Sequence, residues 1–172
     1  NDGEVVDMDP GTGVHLLNTT NQYPMGVAKY DIDLNYNWSK SFTGSNGNHD
    51  MRTIAATNSY VSVSGYNYDE FYIAGETNTD TIPMPADGEF FIACLESGSG
   101  DLFEYNSFAF LPSSGAFPSN QIATEDDALV TIGSFEYKMD LHCYDGTTAY
   151  DSTAFTGFGY AYNPFILNLN YL

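Results

Sequence analysis

From Ala28 to Tyr36 every second residue is apolar: Ala28, Tyr30, Ile32, Leu34 and Tyr36 alternate with Lys29, Asp31, Asp33 and Asn35. A second run, Phe135, Tyr137, Met139, Leu141 and Cys143, alternates with Glu136, Lys138, Asp140 and His142. A period of two puts alternate side chains on opposite faces of a strand, so both runs predict strands with one face in a core and one in water. The segment EFFIACLE, Glu89–Glu96, is apolar on both faces and predicts a central buried strand. Further strands are expected over residues 59–64, 69–74, 102–111 and 165–172. Val130 and Ile132 fall out of phase with Phe135 and Tyr137, and Gly133 between them predicts a bulge or bend.

Turn chemistry falls between these runs. SNGN at 45–48, ADG at 86–88, SGSGD at 97–101, LPSSG at 111–115 and YDG at 144–146 all favour reversals. One short helix is expected over residues 124–130, with Ser119 or Thr124 as its cap and acids in its first turn. The last run, NPFILNLNYL, puts Phe165, Leu167, Leu169 and Tyr171 on one face and is expected to close its own sheet. No linker or fixed-period repeat interrupts the chain. The expected fold is all-β: a single antiparallel β-sandwich domain over residues 1–172, jelly-roll-like.

Composition sharpens this picture. Aromatics make up 16% of the 172 residues, with 14 Tyr and 12 Phe, which favours sheet over helix. Twenty-three acids face four basic residues, Lys29, Lys40, Arg52 and Lys138, for a formal charge of −19. That surface repels phosphate backbones and anionic lipid, so neither nucleic acid nor a membrane surface is an expected partner. The acids are dispersed and not gathered into a tail, as on a surface adapted to high salt, where repulsion is screened. The first residue is Asn1 and no leader-like run follows it, which is expected of a processed chain; no apolar run is long enough to span a bilayer. Two sequons, at Asn18 and Asn37, are candidate glycosylation sites and point outside the cell. Cys94 and Cys143 lack the spacing of a zinc site and are expected to form one disulfide there.

Candidate chemistry is sparse. Asp31-x-Asp33-x-Asn35 imitates the start of a calcium loop, but Tyr36 stands where the loop's glycine belongs and Phe42 where its bidentate glutamate belongs. On a strand, residues two apart are separated by about 6.5–7 Å. Two oxygens on one calcium lie within about 5 Å. Asp31 and Asp33 therefore lend at most one or two ligands to a calcium completed elsewhere, and their expected role is a solvated strand face. The N-terminal stretch, with Asp2, Gly3 and Asp9, resembles only the later part of such a loop, and Asp7-Met8-Asp9-Pro10-Gly11 reads as a turn. His15, His49 and His142 form no HxH or HExxH pattern, and there is no GxSxG elbow and no phosphate-binding glycine loop.

The remaining lead is aromatic. Tyr36 and Trp38 sit among Asn residues, and Tyr66, Tyr68 and Tyr72 recur in GYNYDEFY; both groups could stack on a sugar. The expectation is a non-catalytic structural subunit of an extracellular or virion assembly: capsid, decoration, spike or surface filament. Its partners would be copies of itself or other assembly subunits. The alternative is a secreted carbohydrate-binding module or adhesin tip with glycans as ligand. No cofactor is expected beyond a possible calcium.

Overall fold

The computed structural model describes residues 6–17, 25–44, 49–67, 71–75, 79–82, 89–110, 116–123, 128–135, 138–144, 149–156 and 163–170. Within them the chain is all-β. The strands are β1 (Val6–Asp7), β2 (Leu16–Leu17), β3 (Met25–Tyr30), β4 (Tyr36–Gly44), β5 (His49–Ala56), β6 (Tyr60–Asn67), β7 (Phe71–Ala74) and β8 (Thr79–Ile82). They continue as β9 (Glu89–Glu96), β10 (Leu102–Phe110), β11 (Ala116–Ala123), β12 (Ala128–Phe135), β13 (Lys138–Tyr144), β14 (Ala149–Thr156) and β15 (Asn163–Asn170).

Every pairing is antiparallel. The sheets run β14-β13-β10-β9-β6-β5, β3-β4-β7-β8, β11-β12-β15 and the small pair β1-β2. Consecutive hairpins go alternately to different sheets, so each skip in strand order spans one hairpin: β4 lies beside β7, β6 beside β9, β10 beside β13 and β12 beside β15. The result is a layered β-sandwich, with strand order set by this alternation.

The six-stranded sheet is the centre. One face of β9 presents Phe91, Ala93 and Leu95, which pack with Val61, Val63, Tyr105, Phe42, Trp38, Val27 and Ile73. The rings of Phe42, Phe91 and Tyr105 form a stacked row, with centroids 6.4 and 6.0 Å apart. The four-stranded sheet supplies Val27, Trp38, Phe42 and Ile73, so it covers this face. The opposite face carries Phe90, Ile92, Cys94, Ser62, Ser64 and Asn106, also buried, and β11 runs against β5 and β9. The expectation for Glu89–Glu96 therefore holds: its interior residues, Phe90 to Leu95, are closed off on both faces.

Several expected boundaries change. The alternating run 28–36 is the end of one strand, a turn and the start of another: β3 ends at Tyr30, β4 begins at Tyr36, and Ile32 and Leu34 point into water. The run 135–143 also divides, with Phe135 closing β12 and Lys138 opening β13. The expected helix is replaced from Ala128 onward by β12, whose Val130, Ile132 and Ser134 pair with β15; residues 124–127 lie outside the described residues. The irregularity expected at Gly133 falls on its partner, where the register slips between Pro118 and Asn120 of β11, leaving Ser119 as the extra residue. The C-terminal strand pairs within the chain, as expected.

Gly65 is demanded by close approach. β5 bulges between Met51 and Thr53, and a Cβ at Gly65 would lie 1.9 Å from the carbonyl oxygen of Asp50.

Candidate functional site

The turn after β3 is built around one carboxylate. Asp31 Oδ1 accepts the backbone N–H groups of Asp33 and Asn35, each at 2.9 Å, and Oδ2 accepts Asn35 Nδ2 at 2.8 Å. Leu34 N donates to Asp31 O and Asp31 N to Asn35 O, both at 3.0 Å. These bonds hold the Asp31 pKa below the usual carboxylate value, the Asn35 side chain contributing most. Leu34 closes the turn at φ 65°, a left-handed conformation normally left to Gly or Asn. The expectation of a wet strand face for Asp31 and Asp33 is thus corrected: they form a capped hairpin tip. Asp31 is already committed to the turn, and no group of three or more His, Cys, Asp or Glu side chains gathers as a metal site among the described residues.

A second hairpin lies alongside. Asp7 Oδ1 accepts the N–H groups of Asp9 and His15, and Met8 N donates to His15 O. Both N–H contacts, His15 first, lower the Asp7 pKa. The His15 ring stacks on Tyr36 at 4.0 Å, and Tyr30 Oη donates to Met8 O at 2.6 Å, so β1-β2 is fastened to the end of β3-β4.

Tyr36 and Trp38 do not form one aromatic platform. The β3-β4 register slips between Lys29 and Tyr30, making Asn37 the extra residue on β4. Tyr36 turns toward His15 and Ser39 Oγ, while Trp38 turns inward, 6% exposed, with Nε1 donating to Ser97 O at 3.1 Å. Both still border a cleft of about 440 Å³ with Asn37, Ser99 and Asp101. The rings are already engaged, Tyr36 by His15 and Trp38 by Gly100, whose Cβ would meet the indole at 2.6 Å. The Tyr66–Tyr72 stripe is also divided: Tyr66 is buried on β6 against Phe90, Tyr72 belongs to β7 in another sheet, and Tyr68 lies outside the described residues.

What Trp38 does is join two sheets. It pairs across the ladder with Lys29, and both reach the 97–101 turn between β9 and β10. Lys29 Nζ donates to Ser97 O at 2.7 Å and Ser97 Oγ at 2.6 Å; Lys40 Nζ, side chain 6% exposed, sits 3.1 Å from Asp101 Oδ1. Gly100, at φ 74°, lets the turn lie flat on the indole. Two of the chain's four basic residues and its one Trp thus serve a single turn. Sequence reasoning missed this clamp; its signal is the coincidence of scarce lysines two and nine residues from a lone Trp that has no surface role.

The disulfide expectation is overturned. Cys94 is a buried thiol outside any disulfide. Cys94 pairs with Glu104 on β10, and Cys143 pairs with Asn106 from the far side of that strand. Two inter-strand spacings are about 9.5 Å, beyond the ~7 Å Cα limit for a disulfide. Of the sequons, Asn37 is exposed at its bulge and Asn18 lies outside the described residues.

The two hairpins share one more property. Among the side chains whose exposure the structure describes, seven large apolar ones are exposed, and Val6, Val14, Leu16, Ile32 and Leu34 all belong to this end of the molecule. Ile32 is 98% exposed and Leu34 67%. Comparison of the chain with protein family models, with curated proteins and with solved structures finds no match.

Proposed function

We propose that this chain is a non-catalytic structural subunit of an extracellular or virion assembly, attached to its neighbours through the end formed by the β1-β2 and β3-β4 hairpins. The observation that carries the reading is the concentration of five exposed apolar side chains on two adjoining hairpins. Contiguous apolar exposure rimmed by polar groups is the mark of a protein contact. A glycan module is the weaker reading, because the rings of Tyr36 and Trp38 are already packed against His15 and Gly100.

Charge sets the conditions. A chain of 172 residues has a radius of gyration of about 16 Å, so touching copies have centres about 40 Å apart. Two bodies of charge −19 at that distance repel by about 37 kcal/mol without salt. Screening around a body of that size leaves about 4 kcal/mol at 0.1 M and about 0.6 kcal/mol at 1 M. Raising the salt therefore strengthens self-association by about 300-fold. Sedimentation velocity and negative-stain microscopy of the whole chain at both salts test the reading. Particles or filaments that grow with salt support it; a monomer at every salt and concentration refutes it.

A further inference from the structure

Resting on that reading, we infer that the 31–35 hairpin tip of one copy inserts into a groove between β3 and β5 of the next. The groove encloses about 390 Å³ and is lined by residues 26–28 of β3 and 51–54 of β5. These are edge strands of two different sheets, so the groove opens at the side of the sandwich. Val27, Ala28, Met51 and Ile54 give it an apolar lining, and Ile54 is exposed there.

A second copy is the occupant because the tip matches the groove in two independent ways. Ile32 and Leu34 supply apolar groups that are 98% and 67% exposed. Between them stands the exposed Asp33, and the groove carries Arg52, paired with Asp50 at 2.6 Å yet 54% exposed and the most accessible basic group among the described side chains, so that Asp33 would share the guanidinium with Asp50. In a chain of charge −19, most of the surface repels another copy. Among the described side chains, the most exposed cation lines the groove that would receive the most exposed apolar side chain, Ile32. The tip is also preorganised: Asp31 binds the turn from within and holds Leu34 at φ 65°. A non-glycine residue enters that conformation at a cost, and here the turn's own hydrogen bonds hold it.

Tip and groove are different surfaces, and in the inferred head-to-tail arrangement each copy at an end keeps a free tip or a free groove, so the contact repeats from copy to copy into a ring or filament. That dictates the test. In 1 M salt, wild-type chain assembles, while Ile32→Asp (tip broken) and the double variant Arg52→Glu, Ile54→Asp (groove broken) each need at least tenfold higher concentration. Mixed one to one, the two broken chains form dimers and stop there, since each retains one working surface. The charge swap Asp33→Arg with Arg52→Asp restores assembly that either change alone weakens. Leu34→Gly raises the melting temperature and lowers assembly together. Unchanged melting and Trp38 emission in the other variants exclude misfolding as the cause. If wild type assembles and the broken variants assemble equally well, the contact is wrong and the assembly reading stands. Dimers from each broken variant alone would mean a different, self-complementary contact. A wild-type chain that stays monomeric overturns both readings.

Discussion

Gly100→Ala tests the joint between the two facing sheets. Gly100 lies at φ 74°, where a residue with a Cβ costs about 1–2 kcal/mol. The added methyl would fall 2.6 Å from Trp38 Cδ2 and 2.7 Å from Cε3, against 3.1 Å from Lys40 Cε. The lysine can move aside. The indole cannot, because it is buried and its Nε1 is anchored on Ser97 O. Overpacking of this kind costs about 1–3 kcal/mol, for a total of about 2–5 kcal/mol. In a chain of this length that lowers Tm by about 4–20 °C. Trp38 is the only tryptophan, so urea unfolding followed by its fluorescence reads the site directly. Gly98→Ala, in the same turn, is the control: nothing lies within 4 Å of its Cβ, and it is expected to stay within about 1 kcal/mol of wild type. Equal stability of Gly100→Ala and Gly98→Ala, with unchanged emission, would refute the account of the joint.

Gly65→Ala places a Cβ 1.9 Å from the Asp50 carbonyl oxygen, with backbone on both sides; the β5-β6 pair must part, and denaturant unfolding should show a loss of about 3 kcal/mol or more. Asp80 has a pKa raised by burial and by Asp101, with Lys40 opposing. The native state then holds a proton that the unfolded chain releases near 3.8, so stability falls as pH rises through the native value; Asp80→Asn is expected to stabilise at pH 7 and to give no gain at pH 3 in matched thermal melts. Asp31 has a lowered pKa, so its hold on the hairpin tip is complete above 3.8 and is lost as pH falls through its lower native value; the amide resonances of Asp33 and Asn35 should move together there, and an independent response of the two would contradict the shared carboxylate.

The sequence made the sheets legible where burial is two-sided or the turn carries Gly. EFFIACLE could only be a strand inside the sandwich, and SGSGD could only reverse the chain. It misled at residues 28–36 because Ile32 and Leu34 continue the apolar alternation through a turn that has neither Gly nor Pro. Alternation reports a buried face only if the apolar residues are buried, and here they face water. The clue was Asp31 itself: an acid able to cap the N–H groups two and four residues on, with Asn35 placed to return a bond. Trp38 was misjudged for the opposite reason. Its Asn neighbours suggested an exposed aromatic, but one extra residue at Asn37 reverses the facing that simple alternation implies. No local pattern specifies such a bulge, since it depends on the pairing with β3. The pairing of Cys94 with Cys143 failed on lateral distance, which only strand order determines.

The distribution of positive charge joins the fold to the proposed assembly. Lys29 and Lys40 are held at the 97–101 turn, where the carbonyl and hydroxyl of Ser97 and the carboxylate of Asp101 engage them. Neither offers another molecule an exposed cation. Arg52 does, resting against Asp50 and 5.8 Å from the Tyr66 ring centroid at the rim of the groove. Two copies approaching in a random orientation meet acid with acid, and the repulsion is unrelieved. In the one orientation that brings Asp33 to Arg52, a local attraction opposes the general repulsion while Ile32 and Leu34 leave water. Like-charge repulsion then acts as a filter on geometry, rejecting wrong contacts more than it weakens the right one. Salt lowers the general barrier, and the apolar tip still decides which contact forms.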